Sequence, residues 1–290
     1  MQKKNHLCKY EVSELSEHTR NSKKNSSVFL KEIEANLKEL ASETSNFKKS
    51  EFFKNYLETI SKFWQYSYHN QLLIYFQKQE STRVAGFNKW KELKRNVIKG
   101  QKAIKILAPF TKKTKEIDHQ TNEEIEKNIT LFFPVSVFDI SQTEGADLPK
   151  ISLTVDGDNY KNFLENLVKF CKNKNIKVNF KNLGINGLYG YSKGGEIAVS
   201  NNESINTQAN TIIHEIAHEL LHKGKESLSK QQKEIQAEAT AYVVTKHFSM
   251  ENKSFNYLAL YDADYKKIME NLKAVAEASK QIIGFLEKEQ

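Results

Sequence analysis

NTIIHEIAHELLHKGKESLSKQQKEIQAEATAYVV, residues 210–244, is the stretch on which the reading of this 290-residue chain turns. Ile212, Ile213, Ile216, Ala217, Leu220 and Leu221 recur at helical spacing, and Gly224 stands where the helix should end. Inside that helix lies His214-Glu215-Ile216-Ala217-His218. Four residues make just over one turn, so both imidazoles leave one face as neighbouring ligands of a tetrahedral metal must. Glu215, one position along, leans over an open coordination position without being a ligand. That is the general-base position of a zinc hydrolase.

A catalytic zinc takes three protein ligands, and one helix supplies two. His222 shares the face but lies ~12 Å further along the axis from His214, too far for one ion on a straight helix. It is read as a helix-end or supporting residue. The return segment EIQAEATAYVV, 234–244, offers Glu238, with Glu234 one turn earlier on the same face as its competitor. Glu238 is favoured, partly on the resemblance given below. Zn2+ is the expected ion, although imidazole with carboxylate also admits other divalent cations. The chemistry implied is peptide hydrolysis, with Glu215 taking a proton from water and passing it to the leaving amine. Tyr189, Tyr191, Tyr242 and Tyr257 are candidates for an oxyanion donor, each also explained by packing.

Outward from this stretch, GYSKGGEIAVS, 190–200, reads as a hairpin closing on Gly194–Gly195, able to add an extended substrate as a further strand. Helices are expected at 159–174, 206–222, 229–248 and 256–287. Upstream, 28–85 has neither Gly nor Pro and carries helical patterning through Phe29, Ile33, Leu37 and Leu40, then Phe52, Tyr56, Ile60 and Phe63. Strands follow at 102–110 and 131–140, with Pro134 favouring an edge position and the polar run 112–128 reading as a solvated loop between them. A domain boundary is placed at 141–157, and residues 1–27 read as a polar tail. The fold class is α+β in two domains: 28–145, helical and sheet, and 150–290, mainly helical with a small hairpin.

Net charge is +8, but residues 1–150 carry 26 Lys/Arg against 19 Asp/Glu while 151–290 carry 18 against 17. Within 81–115, eleven basic residues face Glu92 alone. Such a field attracts nucleic-acid phosphate. Ten of the thirty residues 47–76 are aromatic, and Phe87 and Trp90 follow inside the basic run. Rings interleaved with Lys and Arg suit single-stranded nucleic acid, whose bases offer their faces, although most of these rings must fill a core. No apolar run is long enough to span a membrane and the start lacks a signal-type stretch, so a soluble, cytoplasmic protein with no membrane partner is expected. Cys8 and Cys171 cannot build a disulfide framework.

WQYSYHNQLLIY at 64–75, VAGFNKWKELKRNVIKGQKAIKILAP at 84–109 and FPVSVFDISQTEGADLP at 133–149 together resemble the N-terminal single-stranded-DNA-binding domain of ArdC-type antirestriction proteins. HEIAHELLH with EIQAEATAYVV resembles the zincin-like metallopeptidase domain that follows it there, akin to ImmA/IrrE-type peptidases. The resemblance covers roughly 28–285. It implies a protein of mobile genetic elements that binds single-stranded DNA and protects incoming DNA from restriction. It places metal ligands at His214, His218 and Glu238 and the base at Glu215. The expected nucleic-acid contacts are Trp64, Tyr66, Tyr68, Asn70, Lys89, Trp90, Lys94, Arg95, Lys99 and Lys102. A DNA-bound host protein is the candidate peptidase substrate. The alternatives are a regulatory zinc peptidase that DNA merely localises, or a DNA-binding module with a structural metal.

Overall fold

The computed structural model describes residues 26–43, 45–117, 124–148, 159–185, 187–224, 227–250 and 264–289. Most of the tail, Cys8, the second half of the boundary segment and Tyr257 therefore lie outside the described residues. In chain order the elements are α1 (26–42), α2 (Asn46–Lys62), α3 (Tyr68–Gln77), β1 (Val84–Gly86), α4 (Phe87–Glu92), β2 (Arg95–Val97), β3 (Ile104–Ile117), β4 (Glu124–Asp139), β5 (Thr143–Gly145), α5 (Asn159–Asn173), β6 (Lys177–Lys181), β7 (Gly190–Ser192), β8 (Glu196–Ser200), α6 (Ile205–Leu221), α7 (Lys230–His247) and α8 (Tyr265–Leu286).

Two compact units result. One is formed by the chain up to Asn36 with Phe76–Asp147, the other by Leu37–Tyr75 with Leu148–Gln290. The aromatic-rich helical segment thus belongs with the C-terminal residues, where Phe53, Tyr56, Leu57 and Ile60 of α2 are buried. A boundary read along the chain places that segment in the other unit. Periodicity reveals that a helix has an apolar face and is silent on which partner covers it.

In the N-terminal unit, β4 pairs antiparallel with the whole of β3, from Ile104↔Val137 to Ile117↔Glu124, and β1 adds to β4 at Val84↔Asp139 through Gly86↔Val137. The run read as a solvated loop, 112–128, is therefore mostly strand. Strand pairing satisfies the backbone groups of its described residues whatever the side chains. Pro134 sits in β4 where β1 no longer reaches, so its missing N–H leaves no ladder bond unmade. Asp139 ends β4 and accepts from the N–H groups of Thr82 (2.7 Å), Arg83 (3.0 Å) and Ser141 (2.9 Å).

In the C-terminal unit, α6 is entered from Ser204, whose hydroxyl accepts from Thr207 N, and α7 from a Ser229–Gln232 capping box. The small sheet has the order β6-β8-β7, with β6 parallel and β7 antiparallel to β8. The expected hairpin closes through Gly194 (φ +69) and Gly195 (φ +105), conformations a side chain would resist. Glycine is also required at 190: a Cβ there would meet Thr211 Cγ2 at 2.4 Å and Ala198 O at 2.9 Å. Strand β7 thereby lies against α6, with one edge unpaired by any described strand.

Candidate metal centre and nucleic-acid residues

Helix α6 turns His214 and His218 to the same side, their Nε2 atoms 3.0 Å apart. From α7, Glu234 brings Oε2 to 3.5 Å from His214 Nε2 and Oε1 to 3.7 Å from His218 Nε2. Two donors each 2.0–2.1 Å from a tetrahedral ion stand about 3.3–3.4 Å apart. The histidine separation and the nearer carboxylate distance lie on either side of that figure, and one donor atom from each of the three residues lies within 4.8 Å of the others, so this His2Glu set can gather about a divalent cation. The structure thus gathers Glu234, the competitor, at the Nε2 side. Glu238, the favoured expectation, lies elsewhere: its Oε1 is 3.6 Å from His214 Nδ1, behind the ring. One helical turn separates the two carboxylates, and only the docking of α7 decides which meets the histidine tips.

Charge follows this geometry. Burial works to lower the pKa of His214, but the bond from Glu234 and the charges of Glu238 and Glu215 outweigh it and the net direction is up. The bonds from His214 and His218 hold Glu234 well below the ordinary carboxylate range. Glu215 is buried, which raises its pKa, and its carboxylate bonds Ser192 of β7. A carboxyl tuned upward beside a metal-ligating triangle is placed to exchange protons.

Behind His218 runs a chain whose polarity is forced from one end. The carbonyl of Lys267 in α8 can only accept, so Asn271 Nδ2 donates to it (2.7 Å) and Asn271 Oδ1 accepts from Gln236 Nε2 (2.7 Å). Gln236 Oε1 then accepts from His222 Nε2 (3.0 Å), leaving His222 Nδ1 to accept from His218 Nδ1 (2.9 Å). His218 is thereby held as the Nδ1–H tautomer with its Nε2 lone pair turned to the site. His222, whose pKa burial lowers to about 4, is neutral, as the chain demands. Its expected supporting role takes this form, whereas Gln236 and Asn271 carried no signal in the sequence.

Glu219, also unforeseen, is buried and accepts from Gly194 N (2.8 Å) and Gly195 N (2.6 Å), tying the hairpin turn to α6. Of the tyrosines weighed as oxyanion donors, Tyr242 donates to Glu58 (3.2 Å), and burial first, then Glu58, pushes its pKa up to about 12. Tyr191 lies between the ammonium groups of Lys181 and Lys193, and Tyr189 is 40% exposed. Cys171 is fully buried and its thiol is pushed up to about 12, chiefly by that burial.

The residues expected to contact nucleic acid divide sharply. Trp90 is 1% exposed and donates its indole N–H to Phe138 O (2.9 Å), so its ring belongs to the core. Arg95 is buried, its guanidinium spent on Thr143, Gly145 and Ala146. Trp64, Tyr66, Tyr68 and Asn70 fall in the C-terminal unit. There Trp64 packs on Gly284 and edge-on to His247, Tyr66 contacts Phe63, Tyr68 contacts His69, and Asn70 is buried. Lys89, Lys94, Lys99 and Lys102 are exposed, Lys89 in a 2.8 Å surface pair with Glu92. The basic face is present, but the rings expected to interleave with it are mostly interior. Exposed aromatics in this unit are Phe87, Phe110 and Phe132. No described helix is long and apolar enough to cross a membrane.

Comparison with known proteins divides the chain along its sequence, and there Leu37–Tyr75 falls within the first of two matches. Residues 23–138 match the family described as the N-terminal domain of anti-restriction factor ArdC, and 171–285 match the IrrE N-terminal-like domain, peptidase M78. An uncharacterized protein of Bacillus anthracis, pXO2-81, is 25% identical over 269 residues; the match takes in 78% of this chain and 46% of that protein, so the chain spans about half of its relative. Similar solved structures are the metal-free antirestriction ArdC protein of plasmid R388 (18% identity, TM-score 0.47, 78% of this chain and 86% of that one) and its Mn(II)-bound form (16%, 0.42, 77% and 88%). With an ArdC N-terminal domain followed by an IrrE N-terminal-like domain, this chain is an ArdC-type protein.

Proposed function

We propose that this is an antirestriction protein of mobile elements that binds single-stranded DNA through its N-terminal unit and carries a metal-dependent peptidase-like centre in its C-terminal unit. The observation that carries the second half is the triangle of His214, His218 and Glu234 with Glu215 beside it. His214 Nε2, His218 Nε2 and one Glu234 oxygen would hold the cation, Zn2+ being the expected ion. Bound there, it would polarise a scissile carbonyl and acidify water. Glu215 then serves as proton acceptor from the attacking water and donor to the departing amine nitrogen. Ser192 orients that carboxylate, Glu238 orients the His214 ring from Nδ1, and the open edge of β7 aligns an extended peptide as an added strand. Three donors with an adjacent acid–base group favour this over a structural metal, which takes four ligands. The natural protein substrate is a DNA-bound host factor, and the setting is the cytoplasm.

The test is protection of unmodified incoming DNA in a restricting host, run with wild type and Glu215→Gln beside single-strand binding in vitro. Protection with binding supports the antirestriction reading. Its loss in Glu215→Gln with binding retained assigns a role to proteolysis, and protection kept in that variant assigns the effect to DNA binding alone.

A further inference from the structure

Strands β3 and β4 form a two-stranded ribbon beyond the short reach of β1. Directly paired residues of an antiparallel ladder share a face. One face runs Ile104 and Val137, Ile106 and Val135, Ala108 and Phe133, then Phe110 and Leu131, with Ile129 beyond. Ile104 is 2% exposed at the root, yet Phe110 is 54% exposed and meets Phe133 edge-on at 5.8 Å. The opposite face carries Lys105 with Ser136 and Pro109 with Phe132, the latter 47% exposed. Large rings held out on a ribbon signify a binding surface.

Charge says what binds. Residues 104–113 with 128–137 contain Lys105, Lys112 and Lys113 and no acid, and the run from Lys89 to Lys102 leading into them has six basic residues against Glu92. Acids begin only towards the far end, at Glu116, Glu124 and Glu126, where the aromatic rings stop. Exposed rings and positive charge therefore coincide. That pairing matches a polyanion with exposed bases, whereas an apolar protein partner would have no use for charge of one sign. We infer that the β3–β4 ribbon is the single-strand-binding element, with Phe110 on one face and Phe132 on the other offered to unpaired bases and lysines at its root holding the phosphates. This rests on the reading of the N-terminal unit as a single-strand binder. Paired bases, already stacked, cannot use these rings, so the preference for single strands originates here.

The test is fluorescence anisotropy of a labelled oligo(dT) and of a duplex, titrated with the full chain over a salt series. It uses wild type, Phe110→Ala, Phe132→Ala, Phe110→Leu, Phe132→Leu and a Lys99/Lys102/Lys105→Ala variant, each checked for retained fold by circular dichroism. Each phenylalanine substitution is expected to weaken oligo(dT) binding about 5- to 150-fold with the slope of log K against log salt unchanged. The lysine variant is expected to flatten that slope by about 0.7 for each phosphate no longer neutralised. The leucine variants keep an apolar side chain on the ribbon without the ring, and so report stacking even if an alanine variant unfolds. Phenylalanine variants that bind like wild type would overturn the ribbon and leave single-strand binding standing. Wild type that ignores oligo(dT) at moderate salt would overturn that underlying reading, and the ribbon with it. Equal weakening on duplex, or dissociation of a dimer by light scattering, would overturn stacking in favour of groove binding or self-association.

Discussion

Single residues here act through the backbone groups they satisfy. Asp139 accepts three main-chain N–H groups that would otherwise lack partners at the corner joining β1, β4 and the following turn. Asp139→Ala is expected to cost about 2–4 kcal/mol, read as a lowered denaturant midpoint for the N-terminal unit. Burial acts to raise its pKa, yet the bonds from Ser141, Thr82 and Arg83 prevail and the net direction is down. A carboxyl with a lowered folded-state pKa contributes stability that is present above its unfolded value near 3.8 and disappears as pH falls through the folded one. The difference between wild type and Asp139→Ala should therefore be flat from neutrality to about pH 4 and narrow below it. A difference that narrowed already at pH 6 would contradict the assignment. His218 offers a second case. Long-range 1H–15N spectra of metal-free protein should show His218 protonated at Nδ1 and His222 at Nε2. Asn271→Leu frees Gln236 to turn over, so it should mix the tautomers and weaken metal binding by about 10–100-fold in calorimetry. An unchanged spectrum would mean that α8 does not set the ring.

Elements reach their places by close approach as much as by pattern. Gly190 lets β7 lie on α6 with only hydrogen facing Thr211. Gly190→Ala is expected to destabilise by about 1–3 kcal/mol, and adding Thr211→Ser, which removes Cγ2, should recover part of the loss. Additive losses in the double variant would place the strain elsewhere. The elements themselves were largely legible. Helices expected at 159–174, 206–222 and 229–248 are found at Asn159–Asn173, Ile205–Leu221 and Lys230–His247, and the glycine-closed hairpin is found where expected. Strong 3.6-residue periodicity and positive-φ turns are local properties. The ribbon was legible only at its root: beyond Phe110 the sequence of both strands is almost wholly polar, so the alternation that marks a half-buried strand is missing.

At the scale of the molecule, two units should answer to different ligands. Added Zn2+ or Mn2+ at a hundredfold excess over Kd should stabilise the C-terminal unit by about 2.7 kcal/mol, with the N-terminal melting unmoved. His214→Ala should abolish that shift, and Glu234→Ala should reduce it more than Glu238→Ala. The opposite order would restore Glu238 as the ligand. The ordering matters because it is where reading along the chain and the fold part company. The pair His214 and His218, the acid Glu215 between them and the basic run 81–115 are consequences of spacing on one helix and of composition, which the chain carries whatever its fold. Which glutamate of α7 meets the histidine tips, which rings face water, and which unit owns Leu37–Tyr75 depend on how distant segments dock. Glu234 and Glu238 share a face, and Trp90 and Phe110 are both aromatic residues near lysines, so no local rule separates either pair. Only packing of one element against another removes some side chains from water and aims others at a common point.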